Sequence, residues 1–140
     1  MIIPLHIIEI DDGCQFIVKA IINGFTAMMI VDTGSSRTVI DRQSLKDYID
    51  TPKTEKIFGA AVGIGGSDLE QEAVTLDSFS LGDAELTNMD TMAIDLSHLR
   101  AFNKQRGLPD FVGIIGGDVL RRLKATINYG RLTMTVRKVK

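Results

Sequence analysis

The sequence predicts a single domain built mostly from β-strands. Apolar runs rich in β-branched residues recur along the 140 residues and are separated by turn signals such as 11–13 and Asn23-Gly24. A chain of this length has room for one domain with a real core. Apolar residues make up 44% of the chain and charged residues 24%, which is typical of a folded soluble protein. We therefore expect residues 1–140 to form one domain.

Strands are predicted wherever an apolar, β-branched run lies between turn signals. Asn23-Gly24 is the strongest of these signals, because both residues readily adopt the positive φ angles of a two-residue hairpin turn. The glycine-rich segment 63–67 is expected at the tip of another hairpin. In chain order, the predicted strands cover residues 1–10, 14–23, 25–31, 38–40, 56–64, 69–76, 78–81, 86–94, 111–115, 125–129 and 132–139.

Short helices are expected to interrupt the strands. Asp41 can cap the first helix and Asp95 or Ser97 the second, because short polar side chains accept hydrogen bonds from the free N–H groups at a helix start. Asp118 follows a double glycine and opens the third helix, so capping is its predicted role. The expected helices cover residues 41–49, about 95–106 and 118–124.

Charge, cysteine content and hydropathy argue against several classes of function. The net charge of −2 gives no electrostatic reason to bind nucleic acid or an anionic membrane. Cys14 stands alone, so it is expected to be an inert core thiol, and His6 and His98 are too isolated for a metal site. No apolar run approaches the roughly 20 residues of a membrane span, and residues 1–10 lack the basic region of a signal peptide. We expect a cytoplasmic protein that needs no metal or cofactor.

Asp32 is the candidate functional residue that stands out most clearly. It ends the apolar run at 28–31 and begins a turn rich in hydroxyl groups. A buried or partly buried aspartate is costly unless it is hydrogen-bonded, paired or used in chemistry. Thr33 and Gly34 supply a hydroxyl, free backbone N–H groups and a residue that tolerates unusual φ and ψ angles. Asp32 is therefore expected to be catalytic.

Two carboxylates that share one proton can hydrolyse a peptide bond with no metal and no covalent nucleophile. The ionised carboxylate takes a proton from water, and the protonated one polarises the scissile carbonyl. The chain contains one Asp-Thr-Gly sequence, so the simplest source of the second carboxylate is Asp32 of a second copy related by a two-fold axis. The Thr33 hydroxyls of such a pair would bond across the interface.

A second motif, Ile-Ile-Gly-Gly-Asp-Val-Leu at 114–120, also runs an apolar pair into glycine. This motif, the run at 30–35 and the glycines at 63–66 resemble, in order and spacing, the retropepsin-type aspartic proteases of retroviruses and bacteria. The resemblance covers about residues 21–129. It implies a closed, mostly-β barrel with short helices that is active as a homodimer, with Asp32, Thr33 and Gly34 as the catalytic residues.

The resemblance also implies how a substrate would be held. A hairpin flap from each chain would fold over an extended peptide or protein segment, whose alternate side chains enter pockets. The implied partners are this substrate and a second copy of the chain, with no nucleic acid or membrane. The implied substrate-binding residues are Ser35, Ser36, Gly63, Ile64, Gly65, Gly66, Ile114 and Ile115.

Two departures from the family pattern leave a second interpretation open. Many retroviral enzymes carry an ion pair between an Asp and an Arg where this chain has Ser36 and Gly117. The helix at about 95–106 is also longer than in the compact viral form and is more like the bacterial relatives. The alternative interpretation is a retropepsin-like module that binds peptides or dimerises without catalysis.

Overall fold

The structure is a computed structural model that describes residues 1–50, 55–57 and 71–139. Two α-helices, α1 (Ser97–Gln105) and α2 (Gly117–Arg122), and a 3₁₀ helix at Arg42–Asp47 lie among the strands of this part of the chain. The strands are β1 (Ile2–Pro4), β2 (His6–Ile10), β3 (Gly13–Ile22), β4 (Phe25–Val31), β5 (Val39–Asp41), β6 (Glu55–Ile57), β7 (Gln71–Leu81), β8 (Ala84–Ile94), β9 (Gly113–Ile115), β10 (Thr126–Asn128) and β11 (Thr133–Thr135).

Six of these strands close into a barrel. Their order is β3-β4-β9-β5-β8-β7, and the ring closes where Ile21 and Ile22 of β3 pair with β7. The pairs β4–β9 and β5–β8 are parallel, and the other pairs of the ring are antiparallel. β2 extends the sheet beside β3, and β6 extends it beside β7. The predicted mostly-β fold with a closed barrel is therefore confirmed.

The Asn23-Gly24 hairpin is confirmed, with φ angles of 50° and 88° at the two turn residues. Several predicted boundaries differ, and two of the differences change how the strands are divided. The strand predicted at 1–10 divides at Leu5, because β1 pairs with β11 whereas β2 pairs with β3. The strands predicted at 69–76 and 78–81 form one strand, β7, because the ladder to β8 continues on both sides of Asp77.

Apolar side chains form two clusters on opposite faces of the strands. The larger cluster lies inside the barrel and includes Met29 of β4 and Ile115 of β9. The smaller cluster includes Ile30, Val39 and Ile114, together with Phe111 and Leu96. Successive residues of a strand point to opposite faces, so β4 contributes Met29 to one cluster and Ile30 to the other.

Helix α1 is attached to the barrel by an arginine. Arg100 Nη1 donates to Asp41 Oδ2 at 2.7 Å and to Ser44 Oγ at 2.8 Å. The same guanidinium contacts both carboxylate oxygens of Asp110 at 3.0 and 2.7 Å. Hydrogen bonding to Asp110 raises the pKa of Arg100, and the reverse contact lowers the pKa of Asp110. Just before α1, Asp95 Oδ1 accepts from the backbone N–H of Ser97 at 2.8 Å. The prediction that Asp95 or Ser97 caps this helix is wrong, because its N-cap residue is Leu96 and no side chain makes a capping bond there.

A separate sheet joins the two ends of the chain in the order β1-β11-β10. β10 pairs on one side with β11 and forms an edge of this sheet within the described residues. The prediction that Cys14 is a core thiol is wrong, since Cys14 is exposed where the first residues of β3 project beyond the barrel. Among the described residues, no helix is long and apolar enough to cross a membrane.

Candidate active site

Asp32 lies directly after β4, where the barrel sheet opens into a loop. Its backbone N–H donates to the carbonyl of Ile115 at 3.0 Å, which continues the ladder between β4 and β9 by one bond. Its carboxylate Oδ1 accepts from the N–H of Gly34 at 2.8 Å. The sequence pattern favours a buried or partly buried aspartate, but in the single chain Asp32 is exposed. The carboxylate is thus fixed in position while it faces solvent.

Backbone hydrogen bonds hold the loop that follows Asp32 against the start of α2. The carbonyl of Ser35 accepts from Gly117 N–H at 2.7 Å, and the carbonyl of Ser36 accepts from Asp118 N–H at 3.2 Å. The Ser35 hydroxyl donates to the carbonyl of Arg37 at 2.8 Å. Ser36 and Gly117, which replace the ion pair of many retroviral enzymes, thus both take part in main-chain contacts between the same two segments.

Gly116 is where these two segments come closest. A Cβ atom at this position would lie 2.5 Å from the carbonyl oxygen of Arg37 and 2.7 Å from that of Ser35. Both contacts are with backbone atoms, which cannot move aside as a flexible side chain can. The glycine of the second motif is therefore required by close approach to the Asp32 loop. The neighbouring Gly117 has ordinary space, since its Cβ would lie 3.6 Å from the nearest atom.

Asp118 has a different role from the one the sequence predicts. Its Oδ1 accepts from both the N–H and the hydroxyl of Thr38 at 2.8 Å, and also from Val119 N–H. The helix-capping position is occupied instead by Gly116, whose N–H donates to the Thr38 hydroxyl at 3.0 Å. Thr38 is completely buried, so these bonds fix the end of the Asp32 loop to α2. No local pattern in the sequence singles out Thr38.

The two predicted substrate-binding isoleucines lie on opposite faces of β9. Ile114 pairs with Ile30 and Val39 and belongs to the smaller apolar cluster. Because Ile30 and Asp32 are two residues apart, they share one face of the β4 path, and the apolar surface continues towards the carboxylate. Ile115 is 0% exposed in the barrel core, so its side chain is packed away from any peptide. Its contribution to the site is the carbonyl that holds Asp32.

A small pocket of about 200 Å³ opens beside Asp32 and Thr33. Ile127 of β10 and Tyr129, which directly follows β10, form part of its wall. The Tyr129 ring packs edge-on against Phe16 with centroids 4.7 Å apart. Tyr129 itself is 65% exposed. The predicted flap residues Gly63, Ile64, Gly65 and Gly66 lie outside the described residues.

A family model described as aspartyl protease matches residues 18–119. The chain belongs to the aspartyl protease family. No curated protein matches the sequence. Among the described residues, no group of three or more His, Cys, Asp or Glu side chains is arranged to hold a metal ion.

Solved structures confirm that this member of the aspartyl protease family has the retropepsin-like fold. A retropepsin-like aspartic protease from Rickettsia conorii is 22% identical over 96% of this chain and 87% of its own, with a TM-score of 0.59. The retroviral protease-like domain of Ddi1 from Leishmania major is 18% identical over 87% of each chain, with a TM-score of 0.57. The protease of EIAV, solved with an inhibitor, is 16% identical over 86% of this chain and 99% of its own, with a TM-score of 0.59.

Proposed function

We propose that this protein is a homodimeric aspartic endopeptidase in which Asp32 from each of two copies activates the attacking water. One observation carries the proposal: the Asp32 carboxylate is exposed, yet main-chain bonds from Gly34 and to Ile115 fix its position. A carboxylate held without being buried suits an acid–base role, because catalysis needs a positioned group that still reaches the substrate. Thr33 and Gly34 are the proposed partners of Asp32 in this loop.

The second carboxylate must come from a second copy. Asp118, the other aspartate of the two motifs, accepts three hydrogen bonds through one oxygen and serves to fix the loop. A two-fold axis places identical groups opposite each other, so two copies supply two Asp32 carboxylates facing one substrate. Two adjacent carboxylates cannot both ionise easily, and they therefore retain one proton over a broad pH range.

The edge of β10 is the proposed place of contact between the two copies. An edge strand presents unpaired N–H and C=O groups, which are a template for pairing with another strand. Pairing of β10 with its symmetry mate would join the two terminal sheets into one. Ile127 and Tyr129 lie in the same pocket wall as Asp32, so this contact would bring the two Asp32 loops together.

The substrate is proposed to be an extended peptide that lies across Asp32. Ile30, Val39 and Ile114 lie on the face that Asp32 shares, and each is only 5–7% exposed in the single chain. The small exposed part of this apolar face favours apolar side chains next to the scissile bond. Ser35 and Ser36 remain proposed contacts beside the carboxylate, and the flap at 63–66 remains a prediction from the sequence.

A peptide library tests the proposal. Purified protein is incubated with diverse peptides at several pH values between about 3.5 and 7.5, the range in which a carboxylate pair titrates, and the cuts are identified by mass spectrometry. The Asp32→Asn variant is treated in the same way. The matched control is Asp77→Asn, which makes the same chemical change at an exposed position on β7.

We expect cuts with the unmodified protein and with Asp77→Asn, and none with Asp32→Asn. Equal cutting by all three proteins would show that Asp32 is not the catalytic group. A folded, dimeric protein that binds peptides and cuts none would contradict the proposal and support the non-catalytic module instead.

A further inference from the structure

A second pocket, of about 430 Å³, lies beside the loop that follows Asp32. Ser36 and Arg37 form one wall, and Arg122 of α2 lies in another. Ser36 follows Asp32 by four residues, so their Cα atoms are at most about 14 Å apart. An extended peptide advances about 3.3 Å per residue, and the pocket is therefore within about four residues of the scissile bond.

Two guanidinium groups in this pocket have unused hydrogen-bond donors. Arg37 and Arg122 are both exposed, and neither side chain has an acidic or hydrogen-bonding partner in the part of the chain that the structure describes. Arginine stays charged at any relevant pH, and its planar fork matches the two oxygens of a carboxylate. The two arginines therefore supply free cationic donors to this pocket.

The pocket also contains two carboxylates, and both already have donors. Asp118 Oδ1 accepts from the backbone N–H and the hydroxyl of Thr38. Asp90 Oδ1 accepts from the Thr75 hydroxyl at 2.9 Å. These bonds partly compensate the negative charges within the protein, whereas nothing comparable compensates the two arginines among the described residues.

We propose that this pocket, the arginine pocket, binds an acidic side chain of the peptide substrate at a position removed from the scissile bond. This inference rests on the proposed function, since it concerns the same substrate. Arg37 and Arg122 would donate to the glutamate or aspartate carboxylate, while the apolar surface at Ile114 receives side chains nearer the cut. The protein would thus select segments in which an acidic residue stands a few positions from an apolar pair.

Peptides that differ in a single side chain test the arginine pocket. Starting from one cleaved sequence, a glutamate is placed in turn at each position on both sides of the scissile bond and compared with glutamine. Glutamine keeps the size and hydrogen-bonding atoms of glutamate and removes its charge. At one position or more, we expect kcat/KM to be roughly fivefold to tenfold higher for glutamate, since a hydrogen bond to a charged group is worth more than a neutral one.

The Arg37→Gln/Arg122→Gln double variant should lose this preference and cut both peptides equally well. The control is Arg121→Gln, which removes an exposed charge from the same helix outside the pocket and should keep the preference. An unmodified protein that cuts but never prefers glutamate, or a double variant that keeps the preference, would overturn the inference and leave the proposed function intact.

If nothing is cut, a library peptide that the protein binds takes the place of the cleaved sequence, and the binding of its glutamate and glutamine versions separates the two proposals. Fluorescence anisotropy with the Asp32→Asn variant measures the affinity for each glutamate and glutamine pair without turnover. A roughly fivefold tighter binding of the glutamate peptide, abolished by the double arginine substitution, supports the arginine pocket even if the protein is no protease. Equal affinities contradict it.

Discussion

Replacing Arg100 with methionine should destabilise the protein strongly, because the change leaves a buried carboxylate without its cation. The side chain of Asp41 is 1% exposed, and Arg100 contacts it at 2.7 Å. Removing one member of a buried ion pair costs about 3–5 kcal/mol. Asp41 would keep the backbone N–H groups of Leu96 and Gln43 at 3.2 and 3.4 Å, and Arg100 is itself 25% exposed. We therefore expect the lower end, about 3 kcal/mol.

Thermal and urea unfolding measure this loss. For a domain of this size, about 3 kcal/mol corresponds to a melting temperature lower by about 10 °C. Asp110→Asn is the matched control, because it removes the charge of the other acidic partner of Arg100. The side chain of Asp110 is 61% exposed. Such an exposed pair contributes about 0–1 kcal/mol. Adding Asp41→Asn to Arg100→Met should restore part of the stability, since the unpaired charge then disappears.

Arg100→Met that is no more destabilising than Asp110→Asn would contradict the dependence of Asp41 on Arg100. Additive effects of Asp41→Asn and Arg100→Met would contradict it as well. Either result would mean that water or other groups stabilise the Asp41 charge to the same extent as Arg100 does.

Three further predictions concern the loop and acid pH. Thr38→Val keeps the shape but removes the hydroxyl between Asp118 and Gly116 N–H, and should cost about 1–3 kcal/mol in unfolding together with a lower kcat. Gly116→Ala should cost roughly 3 kcal/mol or more, whereas Gly117→Ala should be nearly neutral, as chemical denaturation can compare. The lowered pKa of Asp110 gives stability that is present above its ordinary value near 4 and lost as pH falls through the lowered value. The stability gap between the unmodified protein and Arg100→Met should therefore narrow in titrations below about pH 4.

Features of the fold that depend on residues adjacent in the sequence could be predicted from the sequence alone. The Asn23-Gly24 turn and the strand that ends before Asp32 follow from local turn chemistry and β propensity. The order of the motifs was sufficient to indicate the family and the closed barrel. By contrast, the division at Leu5 depends on pairing with the other end of the chain, and no local pattern encodes such a contact.

The same distinction applies to the candidate site. Asp32 could be identified because its apolar strand and glycine turn adjoin it in sequence. The role of Asp118 could not, since its partner Thr38 is 80 residues away and a local interpretation favours a helix cap. The approximate bounds of helix α1 follow from local polar residues and stop signals, but the contact of Arg100 with the buried Asp41 joins residues that are 59 positions apart.

Mixing active and inactive subunits tests the shared active site most directly. The unmodified protein is refolded at a fixed concentration with increasing amounts of Asp32→Asn, and peptide cleavage is measured after each mixture reaches equilibrium. If each chain of a dimer supplies one of the two carboxylates of a site, mixed dimers are inactive. An equal amount of the variant should then reduce the cleavage rate to about half by random pairing. A rate that stays constant as the variant is added would show that one chain is sufficient, and would contradict the dimeric site.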